Sequence, residues 1–271
     1  MNFRNPIRSL AVIAVLMAAA VPVVSQSVAL APAQIVQTFK PGTPFELQLT
    51  TNNTGTETVE MSVEISDFWY DQKSDKTFPP PGTSPHSAAN WIQFVPERFE
   101  VAPGASQKMK AIVTPPADAR GGYYAVLFVS SAPKLSDEKT KEGGAVFTRM
   151  RLGCLVMLEA DGSQEYKVVV GEPTIDPPTA AGSLVAHIPI ANDSNTHIFP
   201  QPKLTVLDAN RKIVAKAESD SKRFLPGQKF SMDLKWDGEL KPGKYSGVLT
   251  IPYGRDRVET KVIPFSVAAQ Q

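Results

Sequence analysis

Four Pro-Gly corners punctuate the chain, and each leads into a stretch where apolar and polar residues alternate. The corners are Pro41-Gly42, Pro103-Gly104, Pro226-Gly227 and Pro242-Gly243. After the first, Phe45, Leu47 and Leu49 alternate with Glu46, Gln48 and Thr50. After the third, Phe230, Met232, Leu234 and Trp236 alternate with Ser231, Asp233 and Lys235. The other two are looser, with Met109, Ala111 and Val113, then Tyr245, Leu249 and Ile251. A period of two lays one face on a core and the other in water. Proline sets φ and glycine accepts φ > 0, so each corner can reverse the chain. The pattern predicts an all-β protein made of antiparallel sandwiches.

No window beyond residue 25 combines a 3.6-residue period with helix caps. Short β-rich runs lie instead between clusters of Gly, Pro, Asn and Asp. One of them, residues 145–159, reads as a single strand closing the first half. Glu172-Pro173 and Asp176-Pro177-Pro178 mark a stiff connector or edge strand near 165–178. Residues 71–88 and 134–144 read as long loops. The two halves resemble a duplication. Asn52-Asn53-Thr54-Gly55 and Ala191-Asn192-Asp193-Ser194 each follow an alternating strand, and each half then reaches a Pro-Gly corner. The expected organisation is a signal peptide at 1–25 and two tandem immunoglobulin-like sandwiches at 26–165 and 166–271.

The signal peptide rests on Arg4 and Arg8 before an apolar run from Leu10 to Val24, with small residues at Ser25 and Ala29. That run is about 15 residues, against the ~20 a spanning helix needs. Export is therefore expected, with a periplasmic location and no membrane span in the mature chain. Removing Arg4 and Arg8 leaves 26 basic residues against 27 acidic ones, a formal charge of −1. No basic excess points to nucleic acid. Cys154 is the one cysteine, so no internal disulfide holds the domains. It lies in phase with Met150, Leu152, Val156 and Leu158, as a small core residue does.

Catalytic signals are missing. His86, His187 and His197 have no second histidine or cysteine at metal-ligand spacing. There is no nucleophile elbow, no zinc-protease helix motif and no phosphate-cradling glycine loop. The expectation is a protein that is not an enzyme and uses no cofactor or metal. Two features rise above that background. Arg149 and Arg151 share a strand face with Phe147, Leu155 and Met157, opposite Cys154. Two guanidiniums on one face near a hinge can fork onto a carboxylate or a peptide terminus, and can equally protect an edge strand. In Gly121-Gly122-Tyr123-Tyr124, the glycines permit sharp entry to a strand apolar on both faces, as expected of burial on both sides.

The order of Phe45–Thr51, Trp91-Ile92-Gln93-Phe94, Phe99-Glu100-Val101-Ala102-Pro103-Gly104 and Gly121 to Phe128 resembles periplasmic pilus-assembly chaperones of the PapD type. The resemblance covers about residues 31–159 and extends to the second half in style. It implies a non-enzymatic chaperone that binds an exported pilus or fimbrial subunit by edge-strand pairing. It also implies a basic pair in the interdomain cleft that anchors the subunit's terminal carboxylate. Arg149 or Arg151 stands for the member on the last strand of the first domain. Residues 27–39 hold no Arg or Lys for the member on the first strand. Phe147 offers one bulky apolar residue before the arginines. Residues 39–129 are also similar to surface proteins that interact with WxL-domain proteins, which implies the alternative of a cell-envelope or peptidoglycan-binding module. The expected partner is an exported subunit or another envelope protein.

Overall fold

The computed structural model describes residues 28–71, 75–139, 144–179, 182–254 and 256–269. The expected signal peptide at 1–25 lies outside the described residues. Two hydrophobic cores divide the rest. One is built from residues between Val28 and Ala160, the other from residues between Leu184 and Ile263. Each is enclosed by two sheets, so the chain is a pair of β-sandwiches. No helix among the described residues is long and apolar enough to cross a membrane.

In the first sandwich, one sheet orders Val28–Ala31, Phe45–Asn53, Ser106–Val113 and Ile92–Val95. The other orders Gln34–Phe39, Arg151–Ala160, Gly122–Ser131, Val59–Ser66 and Arg98–Val101. The alternation read from the sequence is realised. Leu47, Leu49, Met109, Ala111 and Val113 are buried, and their neighbours Gln48, Lys110 and Ile112 are exposed. Gln34–Phe39 runs parallel to Arg151–Ala160, with Gln34 opposite Leu155 and Phe39 opposite Ala160. Every other named pair in this sandwich is antiparallel.

The second sandwich faces two sheets across the other core. One pairs Leu184–Asn192 with Lys229–Trp236 on one side, and with Val168–Val170 and Thr174–Asp176 on the other. The other orders Ile213–Glu218, Lys203–Leu207, Gly243–Gly254 and Arg257–Val267.

The duplication has a physical core in Asn53 and Asn192. Each is buried at the end of an alternating strand. Asn53 Nδ2 donates to the carbonyls of Glu57 and Val101, and Asn192 Nδ2 donates to those of Thr196 and Phe224. Each side-chain oxygen accepts from the N–H two residues on, and each backbone carbonyl accepts from the corner glycine, Gly104 or Gly227. A buried amide needs all these partners, so asparagine and corner form one unit in each half.

Three corners place glycine at positive φ: Gly42, Gly104 and Gly227. The fourth differs, because Gly243 already pairs with Val267 as the first residue of its strand. The expected strand over 145–159 is also interrupted. Ala145–Thr148 pairs with Lys134–Lys139 in a separate two-stranded ribbon, and Arg149 and Met150 form the joint before Arg151–Ala160. The loop expected over 134–144 is thus in part a strand. Its stem takes its ladder from the partner hairpin arm, a partner that local composition does not reveal.

Candidate functional site

The strand Gly122–Ser131 is central in its sheet and is buried on both faces, as the sequence predicts. Tyr123, Ala125, Leu127 and Val129 face the first core. Tyr124, Val126 and Phe128 face a third cluster, with Phe68, Met157 and Leu225. Leu225 belongs to the second sandwich and is fully buried there. Covering one such side chain stabilises by about 1.5–3 kcal/mol, so this cluster welds the two sandwiches.

Polar contacts fix the weld at one point. Gly122 N–H donates to Asn195 O at 2.8 Å, and Asn195 Nδ2 donates to Ser163 O at 2.8 Å. Gly121 has φ +72, in the left-handed region that favours glycine. A Cβ on Gly121 would sit 2.9 Å from Asn195 Cγ, and one on Gly122 would sit 3.0 Å from Thr196 Cα. The two glycines therefore serve the approach of the second sandwich as well as strand entry. Glu159 Oε1 accepts from Thr196 Oγ1 at 2.8 Å and from Tyr166 Oη at 3.1 Å. His197 is buried beside it, 4.0 Å from Glu159, and edge-on to Tyr124 and Phe199. Burial lowers its pKa to about 4, the nearby Glu159 charge opposes that shift, and Arg223 adds to it. Burial also raises the Tyr124 hydroxyl well above its ordinary value.

Beside this joint runs a row of aromatic rings. Arg151 lies 3.6 Å over the Phe128 ring, Phe128 meets Phe78 at 5.0 Å, and Phe78 meets Phe68 at 6.3 Å. Arg223 of the second sandwich lies 5.6 Å over Phe68. An arginine thus closes each end of the row, and cations over ring faces are attracted by the ring quadrupole. Arg223 also donates to Tyr70 Oη at 3.3 Å and to Gln34 Oε1. Its Nε is buried without a partner, and no carboxylate pairs with it among the described residues.

Arg149 and Arg151 are brought together, and they meet on Glu64. Arg149 Nη2 donates to Glu64 Oε1 at 2.8 Å, and Arg151 Nη2 donates to Glu64 Oε2 at 3.3 Å. Arg149 Nε also donates to Ser131 O at 3.2 Å. All three charged side chains are about four-tenths exposed, so water screens the group. Two positive charges share one negative charge, and one remains in excess. Leu155 and Met157 lie on the Arg151 face as expected, packed toward the third cluster. Phe147 does not join them. It stands 66% exposed on the separate ribbon, directly opposite Leu135, which is 59% exposed.

The backbone beside these arginines is open. Gln34–Phe39 covers Arg151–Ala160 only from Leu155 onward, where Leu155 N–H donates to Ala33 O. Arg151 and Gly153 have the same parity as Leu155, so their backbone groups point to the same edge. No backbone partner crosses that edge to them among the described residues. Because Arg223 holds Gln34, it stands where the open stretch ends.

The remaining candidates resolve into ordinary environments. Cys154 is fully buried in the first core, and burial raises its thiol to about 12. His86 Nδ1 donates to Gly122 O at 2.9 Å, and the ring stacks on Trp69. His187 lies on the surface between Asp233 at 2.8 Å and Asp176 at 3.1 Å, and the hydrogen bonds that its ring gives to these carboxylates raise its pKa. Sequence reading misses Arg223 and Glu64. Neither carries a motif, and their roles depend on partners 189 and 85 residues away.

No family model matches the chain, and no curated protein matches it. Solved structures similar to it include the class 5 fimbriae chaperone CfaA, at 10% identity and TM-score 0.48, covering 90% of this chain and 100% of that one. The E. coli chaperone DraB is similar at 13% identity and TM-score 0.40, covering 90% and 98%. A structure of the Salmonella enterica SafA pilin in complex with the SafB chaperone is similar at 11% identity and TM-score 0.44, covering 90% and 97%. At TM-scores below 0.5 such likenesses carry no functional argument, and the chemistry above comes from this chain alone.

Proposed function

We propose that this protein is an exported, non-enzymatic chaperone-like binder that takes an extended segment of another exported polypeptide onto its first sandwich. The observation that carries the reading is the open edge at Arg151–Cys154, flanked by arginines and by a row of aromatic rings. A segment adding there makes backbone hydrogen bonds to Arg151 and Gly153. Lying parallel to Arg151–Ala160, end to end with Gln34–Phe39, it directs its C-terminus toward Arg223. That guanidinium has no acid partner among the described residues, so a terminal carboxylate meets a cation already partly desolvated. Arg149 and Arg151 hold the other end, with Glu64 keeping both side chains in place. Phe147 and Leu135 add an apolar contact on the ribbon beyond.

The test is fluorescence anisotropy with a labelled peptide of alternating apolar residues, offered with a free C-terminus and with an amidated one. The expected result is that amidation weakens binding several-fold, and that Arg223→Ala abolishes the difference. Arg149→Ala with Arg151→Ala should weaken both peptides alike. Equal binding of the two peptides to the unaltered protein refutes the carboxylate anchor. Failure of both to bind refutes the edge.

A further inference from the structure

The second sandwich ends one sheet on the strand Arg257–Val267, and no backbone partner crosses its outer edge among the described residues. Its inner side pairs with Gly243–Gly254, placing Pro252 opposite Val258, Thr250 opposite Thr260, Val248 opposite Val262, and Ser246 opposite Pro264. Proline has no N–H to give to a ladder, and both Pro252 and Pro264 fall in this set of pairs. The set is therefore the one without ladder bonds, whose backbone groups point away from the neighbouring strand. The N–H and C=O groups of Val258, Thr260 and Val262 consequently face the open edge.

The sequence along that edge is self-complementary. It reads Val258-Glu259-Thr260-Lys261-Val262. Turned antiparallel about Thr260, the strand places Val258 opposite Val262, Glu259 opposite Lys261, and Thr260 opposite itself. The residues that meet with outward backbone groups are then 258, 260 and 262, as the ladder requires. Glu259 and Lys261 fall in the closer pairs, about 4.5 Å apart at Cα, where opposite charges attract. Neither has an ion-pair partner among the described residues. On the outer face Val258 is 49% exposed and Val262 is 65% exposed, and this pairing covers both.

Charges and proline on an edge strand ordinarily block pairing. Here the charges have both signs and are symmetric about Thr260. A parallel in-register copy would set Glu259 against itself, and Pro264 stops the ladder just beyond Val262. The edge is closed to those partners and open to its own copy.

We propose that the second sandwich associates with a second copy of this chain by antiparallel pairing of residues 258–262, giving a symmetric dimer with one continuous sheet. This surface is independent of the binding edge on the first sandwich. The test is sedimentation velocity of the purified protein from low micromolar to several hundred micromolar. The expected result is a concentration-dependent doubling of mass. Lys261→Glu sets acids against acids and should weaken association at least about tenfold. Glu259→Lys with Lys261→Glu restores complementarity and should restore it. Thr260→Pro removes the central outward N–H while costing no bond within the monomer, and should leave a monomer with unchanged near-UV circular dichroism. A monomer at every concentration overturns the proposal. So does a dimer that Lys261→Glu and Thr260→Pro, both folded, leave as strong as before.

Discussion

Acid should loosen the joint between the sandwiches before it affects either core, and His197 sets the range. In the folded protein this side chain is 3% exposed, enclosed by Tyr124, Phe199, Thr196 and Glu159, with Arg223 near enough to oppose a second positive charge. Its pKa falls from 6.5 to about 4. The unfolded chain therefore takes up a proton below pH 6.5 that the folded chain refuses until about pH 4. Stability is complete above 6.5, declines as pH falls through this window, and stops declining on this account below about 4. At about 1.4 kcal/mol per tenfold change in proton affinity, the full loss is about 3 kcal/mol. That is a large share of the 5–15 kcal/mol typical of a domain. Urea unfolding at a series of pH values from 7.5 to 3.5 reads it directly. His197→Phe keeps a ring against Tyr124 and Phe199 but cannot titrate, so its stability should vary less over the same window by about that amount. Identical pH profiles for the two proteins would refute the argument.

Gly122→Ala should destabilise by about 1–3 kcal/mol, because the new Cβ collides with Thr196 and the Tyr124 hydroxyl, and a melting curve measures it. Leu127→Ala removes a fully buried side chain from the first core and should cost about 2–5 kcal/mol in urea unfolding. Cys154 should resist iodoacetamide at pH 8 in the native protein and react fully in urea, followed by mass spectrometry. Its burial and a thiol pushed up to about 12 leave almost no thiolate to attack.

The alternation of apolar and polar residues determined much of this molecule. It placed Leu47, Leu49, Met232 and Leu234 on their cores and Gly122–Ser131 between two apolar layers. The paired Asn53 and Asn192, each beside a Pro-Gly corner, exposed the duplication because a buried amide at a turn needs the same local partners in both copies. Period two fixes which face a side chain takes, and turn chemistry fixes where the chain reverses. Neither says which strands become neighbours, in what register, or at what angle two sandwiches meet. Those belong to the tertiary structure alone. It put Glu64 between Arg149 and Arg151, broke the ribbon bearing Phe147 away from the arginines, and carried Arg223 across to Gln34. Contacts between side chains so far apart along the chain depend on the whole packing, and no local pattern encodes them.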